Sequence, residues 1–140
     1  MCRIVDWGFC ILLGICTIFD FRKKQIPILL LLGMSGLVVG ALIICQTGSV
    51  QAKVLGGSLG LFFFLISKCT NEAVGYGDSW IILLLGIHLG TFVLLQILFV
   101  ASLSAGVCSL FLLWKRKWKR HFTLPFVPYL TIAYMGVMFL

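Results

Sequence analysis

Ser79-Trp80-Ile81-Ile82-Leu83-Leu84-Leu85-Gly86-Ile87-His88-Leu89-Gly90-Thr91-Phe92-Val93 opens a stretch of 36 residues, ending at Trp114, that contains no Asp, Glu, Lys or Arg. As one straight helix it would be about 54 Å long, at about 1.5 Å per residue, against a bilayer hydrocarbon core of about 30 Å. The stretch is too long for one crossing and long enough for two. The break is expected within Gly86-Ile87-His88-Leu89-Gly90, where two glycines coincide with a polar side chain.

Charges cut the rest of the chain into four more uncharged runs: Trp7 to Phe19, Gln25 to Ala52, Val54 to Ser67, and Phe122 to Leu140. Six apolar segments follow, at about 3–19, 27–45, 53–68, 78–89, 91–113 and 125–140. The fold class is therefore all-α, a polytopic transmembrane helix bundle of about six membrane segments. Residues 1–140 form a single transmembrane domain, since no linker, repeat or low-complexity stretch divides them. Pro27, Pro125 and Pro128 fall near segment starts, where a missing N–H costs little.

Composition agrees. Hydrophobic residues make up 61% of the 140 and charged residues 11%, less than half the share of about 25% in ordinary soluble domains. There is too little polar surface to face water all round, so the bilayer is the expected surroundings. The net charge of +7 does not indicate nucleic acid, because most of the basic residues sit in two clusters flanking apolar runs. The six cysteines show no C-x-x-C pair, so neither a disulfide framework nor a zinc site is indicated. Residues 1–19 read as a retained first helix, with a basic cluster after the apolar run and no A-x-A-like cleavage site.

The basic residues also orient the bundle. With six segments and the N-terminus outside, Arg22, Lys23, Lys24, Lys68, Lys115, Arg116, Lys117, Lys119 and Arg120 fall on the cytoplasmic side, and Arg3 and Lys53 outside. That asymmetry is the positive-inside pattern of a multi-pass membrane protein. Gly36/Gly40, Gly56/Gly60 and Gly86/Gly90 are G-x-x-x-G pairs, which allow helix backbones to approach closely in lipid.

Four acids are present: Asp6, Asp20, Glu72 and Asp78. Asp20 closes the first segment and Asp78 opens the fourth, so the topology puts both at the cytoplasmic depth, with Asp6 near the outer face. Two facing carboxylates in a partly dry site tend to share a proton, the arrangement in which one activates water and the other polarises a peptide carbonyl. The alternatives are that Asp20 pairs with Arg22 or Lys23 and that Asp78 caps the fourth helix.

Around these residues the chain reads Asp20-Phe21-Arg22-Lys23-Lys24-Gln25-Ile26-Pro27 and, later, Gly75-Tyr76-Gly77-Asp78. An aspartate closing one helix, a basic loop, Ile-Pro opening the next and a G-x-G-D further on resemble the prepilin peptidase (type IV leader peptidase) family, membrane aspartic proteases. Leu124-Pro125-Phe126-Val127-Pro128-Tyr129-Leu130 looks like that family's final-helix motif. The likeness is to the short form associated with Flp, or tight-adherence, pili.

The resemblance implies an aspartic endopeptidase that removes the basic leader from type IV pilin-like precursors at the cytoplasmic face. Asp20 and Asp78 would be the catalytic pair. No cofactor and no metal are implied, and no methyltransferase activity, because the paired C-x-x-C motifs of larger members are missing. The implied partners are a prepilin or pseudopilin with a basic leader and a hydrophobic helix, and the bilayer itself. The chain departs from the pattern at Ile28, where relatives often carry Asn, and at Trp80, where they often carry Lys.

Three further residues are candidate substrate contacts. Gly75 and Gly77 free the backbone beside Asp78 for an extended peptide, or else form a tight turn into the helix. Glu72 would steer a basic leader toward the pair, or else is a solvated loop charge. Gly56-Gly57-Ser58-Leu59-Gly60 matches the serine-hydrolase elbow, but it lies in a helical run without the strand that the elbow needs. His88 is expected as a hydrogen-bonding residue at the helix break. The competing functional classes are a small transporter, a pilus or secretion assembly factor, and another G-x-G-D intramembrane protease.

Overall fold

The computed structural model describes residues 2–23, 26–45, 48–69, 76–115 and 125–139. They form α1 (Cys2–Lys23), α2 (Ile28–Ile44), α3 (Val50–Cys69), α4 (Tyr76–Leu89), α5 (Thr91–Trp114) and α6 (Val127–Phe139), with no strand among them. The six segments expected from the charge pattern are these six helices. Three of them, α1, α3 and α5, are long and apolar enough to cross a membrane. At about 1.5 Å per residue α4 and α6 are only about 20 Å long, short of a hydrocarbon core of about 30 Å.

The uncharged 36-residue stretch breaks at Gly90, whose φ of 83° separates α4 from α5. This left-handed backbone region strains any residue with a Cβ, which is why glycine marks the break. A Cβ placed on Gly86 would lie 3.1 Å from the Leu94 side chain. Residues four before and four after Gly90 thus touch, so α5 folds back along α4. Thr91 Oγ1 donates a hydrogen bond of 3.1 Å to the Ala52 carbonyl, tying the turn to α3.

Ring and glycine contacts set the helix directions. Gly56 meets Gly86, Gly60 meets Leu83, and Phe64 packs edge-on to Trp80 at 5.8 Å, so α3 runs antiparallel to α4. Trp7 packs on Phe139 at 5.2 Å, Phe9 on Tyr134 at 6.4 Å, and Thr17 hydrogen-bonds Thr131 at 2.8 Å, so α1 runs antiparallel to α6. Pro27 caps α2 from outside the helix, its carbonyl accepting from the Leu30 N–H at 3.0 Å, and Pro128 lies in the first turn of α6.

The core gathers Phe9, Leu13, Met34, Ile81, Leu85 and Leu94, all fully buried. The short α4 packs on three neighbours, α2, α3 and α5, and buries Ser79, Ile81, Ile82, Leu84, Leu85 and Gly86. By contrast Leu29, Phe92 and Trp114 are 81%, 82% and 85% exposed. In water each such side chain would forgo roughly 1.5–3 kcal/mol of burial, so this surface suits lipid. Close packing expected at Gly36 and Gly40 does not occur: a side chain at either would meet nothing within 4 Å. Among the G-x-x-x-G glycines, Gly56, Gly60 and Gly86 make the close approach, while Gly90 serves the turn.

Candidate active site at the α1–α4 end

The antiparallel registers sort the polar residues to two ends of the bundle. Arg3, Asp6, Lys53 and His88 lie at one end, around the Gly90 turn. Asp20, Ile26, Gly77 and Asp78 lie at the other, where α1 finishes and α4 begins. Arg22, Lys23, Lys68 and Lys115, at the ends of α1, α3 and α5, share this second end.

Asp20 occupies the last turn of α1 and Asp78 the first turn of α4. Both are half-buried, and the Asp20 carboxylate acts electrostatically on Asp78 and on Cys16, which sits one turn earlier on its own helix. The fold thus places residues 58 positions apart in sequence at one end of the bundle, within electrostatic reach of each other. The capping alternative for Asp78 does not apply: α4 starts at Tyr76, so Asp78 stands inside the first turn.

Gly77 joins the two sequence motifs physically. A Cβ there would collide with the Ile26 side chain, so the isoleucine of Ile26-Pro27 fills the space that glycine leaves beside Asp78. Tyr76 and Trp80 flank Asp78 and both pack edge-on to Phe64 of α3, at 5.9 and 5.8 Å. Ser67 and Ser79 are fully buried at the same end. Below Asp20, the Thr17–Thr131 hydrogen bond fastens α1 to α6. Glu72 and Gly75 lie outside the described residues.

Two relationships escaped the sequence. The Ile26–Gly77 contact had its signal in the paired motifs, but spacing alone does not reveal touching. The other is at the far end: His88 Nε2 donates a hydrogen bond of 2.9 Å to Asp6 Oδ1, and the His88 ring stacks on Phe9 at 5.2 Å. His88 does hydrogen-bond at the helix break, with a partner that composition could not name. Among the described residues, no group of three or more His, Cys, Asp or Glu is placed to hold a metal ion.

A family model of the type IV leader peptidases matches residues 7–110. The chain belongs to the type IV leader peptidase family. The matched region runs from α1 into α5 and includes Asp20, Ile26, Gly77 and Asp78. No curated protein and no solved structure matches the chain. As a member of a peptidase family built as an apolar helical bundle, this leader peptidase is a membrane protease.

Proposed function

We infer that this leader peptidase is an aspartic endopeptidase that cuts the basic leader from type IV pilin-like precursors, with Asp20 and Asp78 as its catalytic pair. The observation that supports the reading is that Asp20, in the last turn of α1, and Asp78, in the first turn of α4, lie at one end of the bundle within electrostatic reach of each other, inside the region matched by the family. One carboxylate is ionised and takes a proton from water, whose oxygen attacks the scissile carbonyl carbon. The other is protonated and donates to the carbonyl oxygen. As the tetrahedral intermediate collapses, the C–N bond breaks, the leaving amine takes the proton held by the first carboxylate, and the gem-diol returns a proton to the second as the C=O bond reforms.

A cytoplasmic site is supported by Arg22, Lys23, Lys68 and Lys115 sharing the end that holds the pair, because cytoplasmic flanks concentrate basic residues. The substrate is a precursor whose hydrophobic helix lies in the bilayer and whose basic leader emerges at that face. Glu72, six residues before Asp78 in sequence, is proposed to attract the leader, and Gly75 to leave it room.

The test is co-expression in membranes with a prepilin, following loss of the leader by intact mass. Wild type should release the leader, and Asp20→Asn and Asp78→Asn should each abolish release at unchanged protein level. Cleavage that survives either substitution would refute the pair. If wild type leaves every prepilin offered intact, the substrate class is wrong.

A further inference from the structure

We propose that Asp6 and His88 are positioning residues: their contact at one end of the α1–α4 pair sets the register that brings Asp20 to Asp78 at the other. The proposal rests on the catalytic reading of that pair. The same two helices carry both pairs: Asp6 is bonded to His88 at 2.9 Å at one end, and Asp20, in the last turn of α1, lies within electrostatic reach of Asp78, in the first turn of α4, at the other. Along α1 the two acids are separated by about 21 Å, and along α4 His88 and Asp78 by about 15 Å, at about 1.5 Å per residue.

Between the two ends, Phe9, Leu13 and Cys16 of α1 lie in the same buried core as Ile81 and Leu85 of α4, apolar neighbours that can slide past one another more readily than a hydrogen-bonded pair. Among the described residues, α1 packs broadly on α2 and α6, and α4 on α2, α3 and α5. At the far end α1 and α4 are tied by the Asp6–His88 hydrogen bond and by the parallel stack of His88 on Phe9, with planes 2° apart. The side chains of His88 and Asp6 are 10% and 23% exposed, so water competes only weakly for the bond. His88 also sits two residues before the Gly90 turn, which is itself held to α3 through Thr91. The clamp therefore grips α4 where its backbone is already anchored.

Magnitude makes the register matter. Sliding α1 by one residue along α4 displaces the carboxylates by about 1.5 Å, and a misplacement of about 1 Å can cost on the order of 100-fold in rate. Substrate binding by a transmembrane precursor is spread over a much larger surface and is less sensitive to such a shift.

The test compares Asp6→Leu and His88→Phe, which delete the hydrogen bond and keep bulk, with Asp6→Asn, which keeps an oxygen to accept from Nε2. With a prepilin that wild type cleaves, the first two should lower kcat by on the order of 10- to 100-fold with KM within about twofold. Asp6→Asn should recover most of the rate. A second readout needs no peptidase activity: in an Asp20→Cys/Asp78→Cys protein, a short bis-maleimide should join positions 20 and 78, quantified as the linked peptide by mass. Adding His88→Phe should slow that linkage about fivefold or more. Unchanged kcat together with unchanged linkage would overturn the clamp. Linkage that depends on His88 in a protein whose wild type cleaves no prepilin would leave the clamp standing and remove the catalytic reading instead.

Discussion

Gly56 of α3 and Gly86 of α4 meet backbone against backbone, and neither position has room for a Cβ. The obstruction is a carbonyl rather than the tip of a flexible side chain, so the helices themselves must move apart to admit one. Gly56→Ala and Gly86→Ala should each destabilise the bundle by about 1–3 kcal/mol, the usual cost of overpacking. Thermal unfolding in detergent measures this. Gly36→Ala, on an open face, is the control and should be neutral or slightly stabilising, since alanine is the better helix former. Equal losses at all three positions would contradict the close approach.

The turn at Gly90 makes a different demand. A Cβ there would meet Ala52 at 3.5 Å, an ordinary contact, so space does not exclude a side chain. The φ of 83° does. Gly90→Ala should cost about 1–2 kcal/mol through backbone strain alone. A Gly90→Asn protein should lose about as much, because with ψ at 173° the residue lies outside the left-handed helical well that asparagine tolerates. Unfolding midpoints of both variants at the wild-type value would rule out strain as the cause.

Gly77 and Ile26 should behave as a coupled pair. Gly77→Ala drives a methyl group into the Ile26 side chain beside Asp78, and leader cleavage should fall along with stability. Trimming the obstruction with Ile26→Ala should return part of what Gly77→Ala removes, with an interaction energy of about 0.5–3 kcal/mol in a double-mutant cycle. Strict additivity of the two changes would mean that they do not touch.

These cases mark what was legible in the chain. Uncharged runs and proline positions located all six helices, because the length of an apolar run in lipid is set by the bilayer rather than by tertiary detail. The break in the 36-residue run was confined to five residues by two glycines and a histidine, and the structure uses Gly90 for the turn and Gly86 for packing. The placement of Asp20 and Asp78 at one end of the bundle followed from helix parity, which places residues at a depth. Parity says nothing about which helix faces which, so the Asp6–His88 contact and the Ile26–Gly77 contact required coordinates. Gly36 and Gly40 show the converse: the G-x-x-x-G spacing permits close packing without requiring it.

The pH dependence of leader cleavage follows from two carboxylates that feel each other's charge. Catalysis requires one ionised member to take a proton from water and one protonated member to donate to the carbonyl. Below the first titration step both are protonated and no base remains, so the rate falls toward acid. Above the second step both are ionised and no acid remains, so it falls again toward alkali. The profile of kcat should therefore be a bell whose two limbs are macroscopic properties of the pair. Raising ionic strength screens the basic residues outside the site more than the carboxylates within it, so the limbs should move little with salt. A profile that rises monotonically across both carboxyl titrations would show that a single ionised group suffices, and would exclude the shared-proton mechanism.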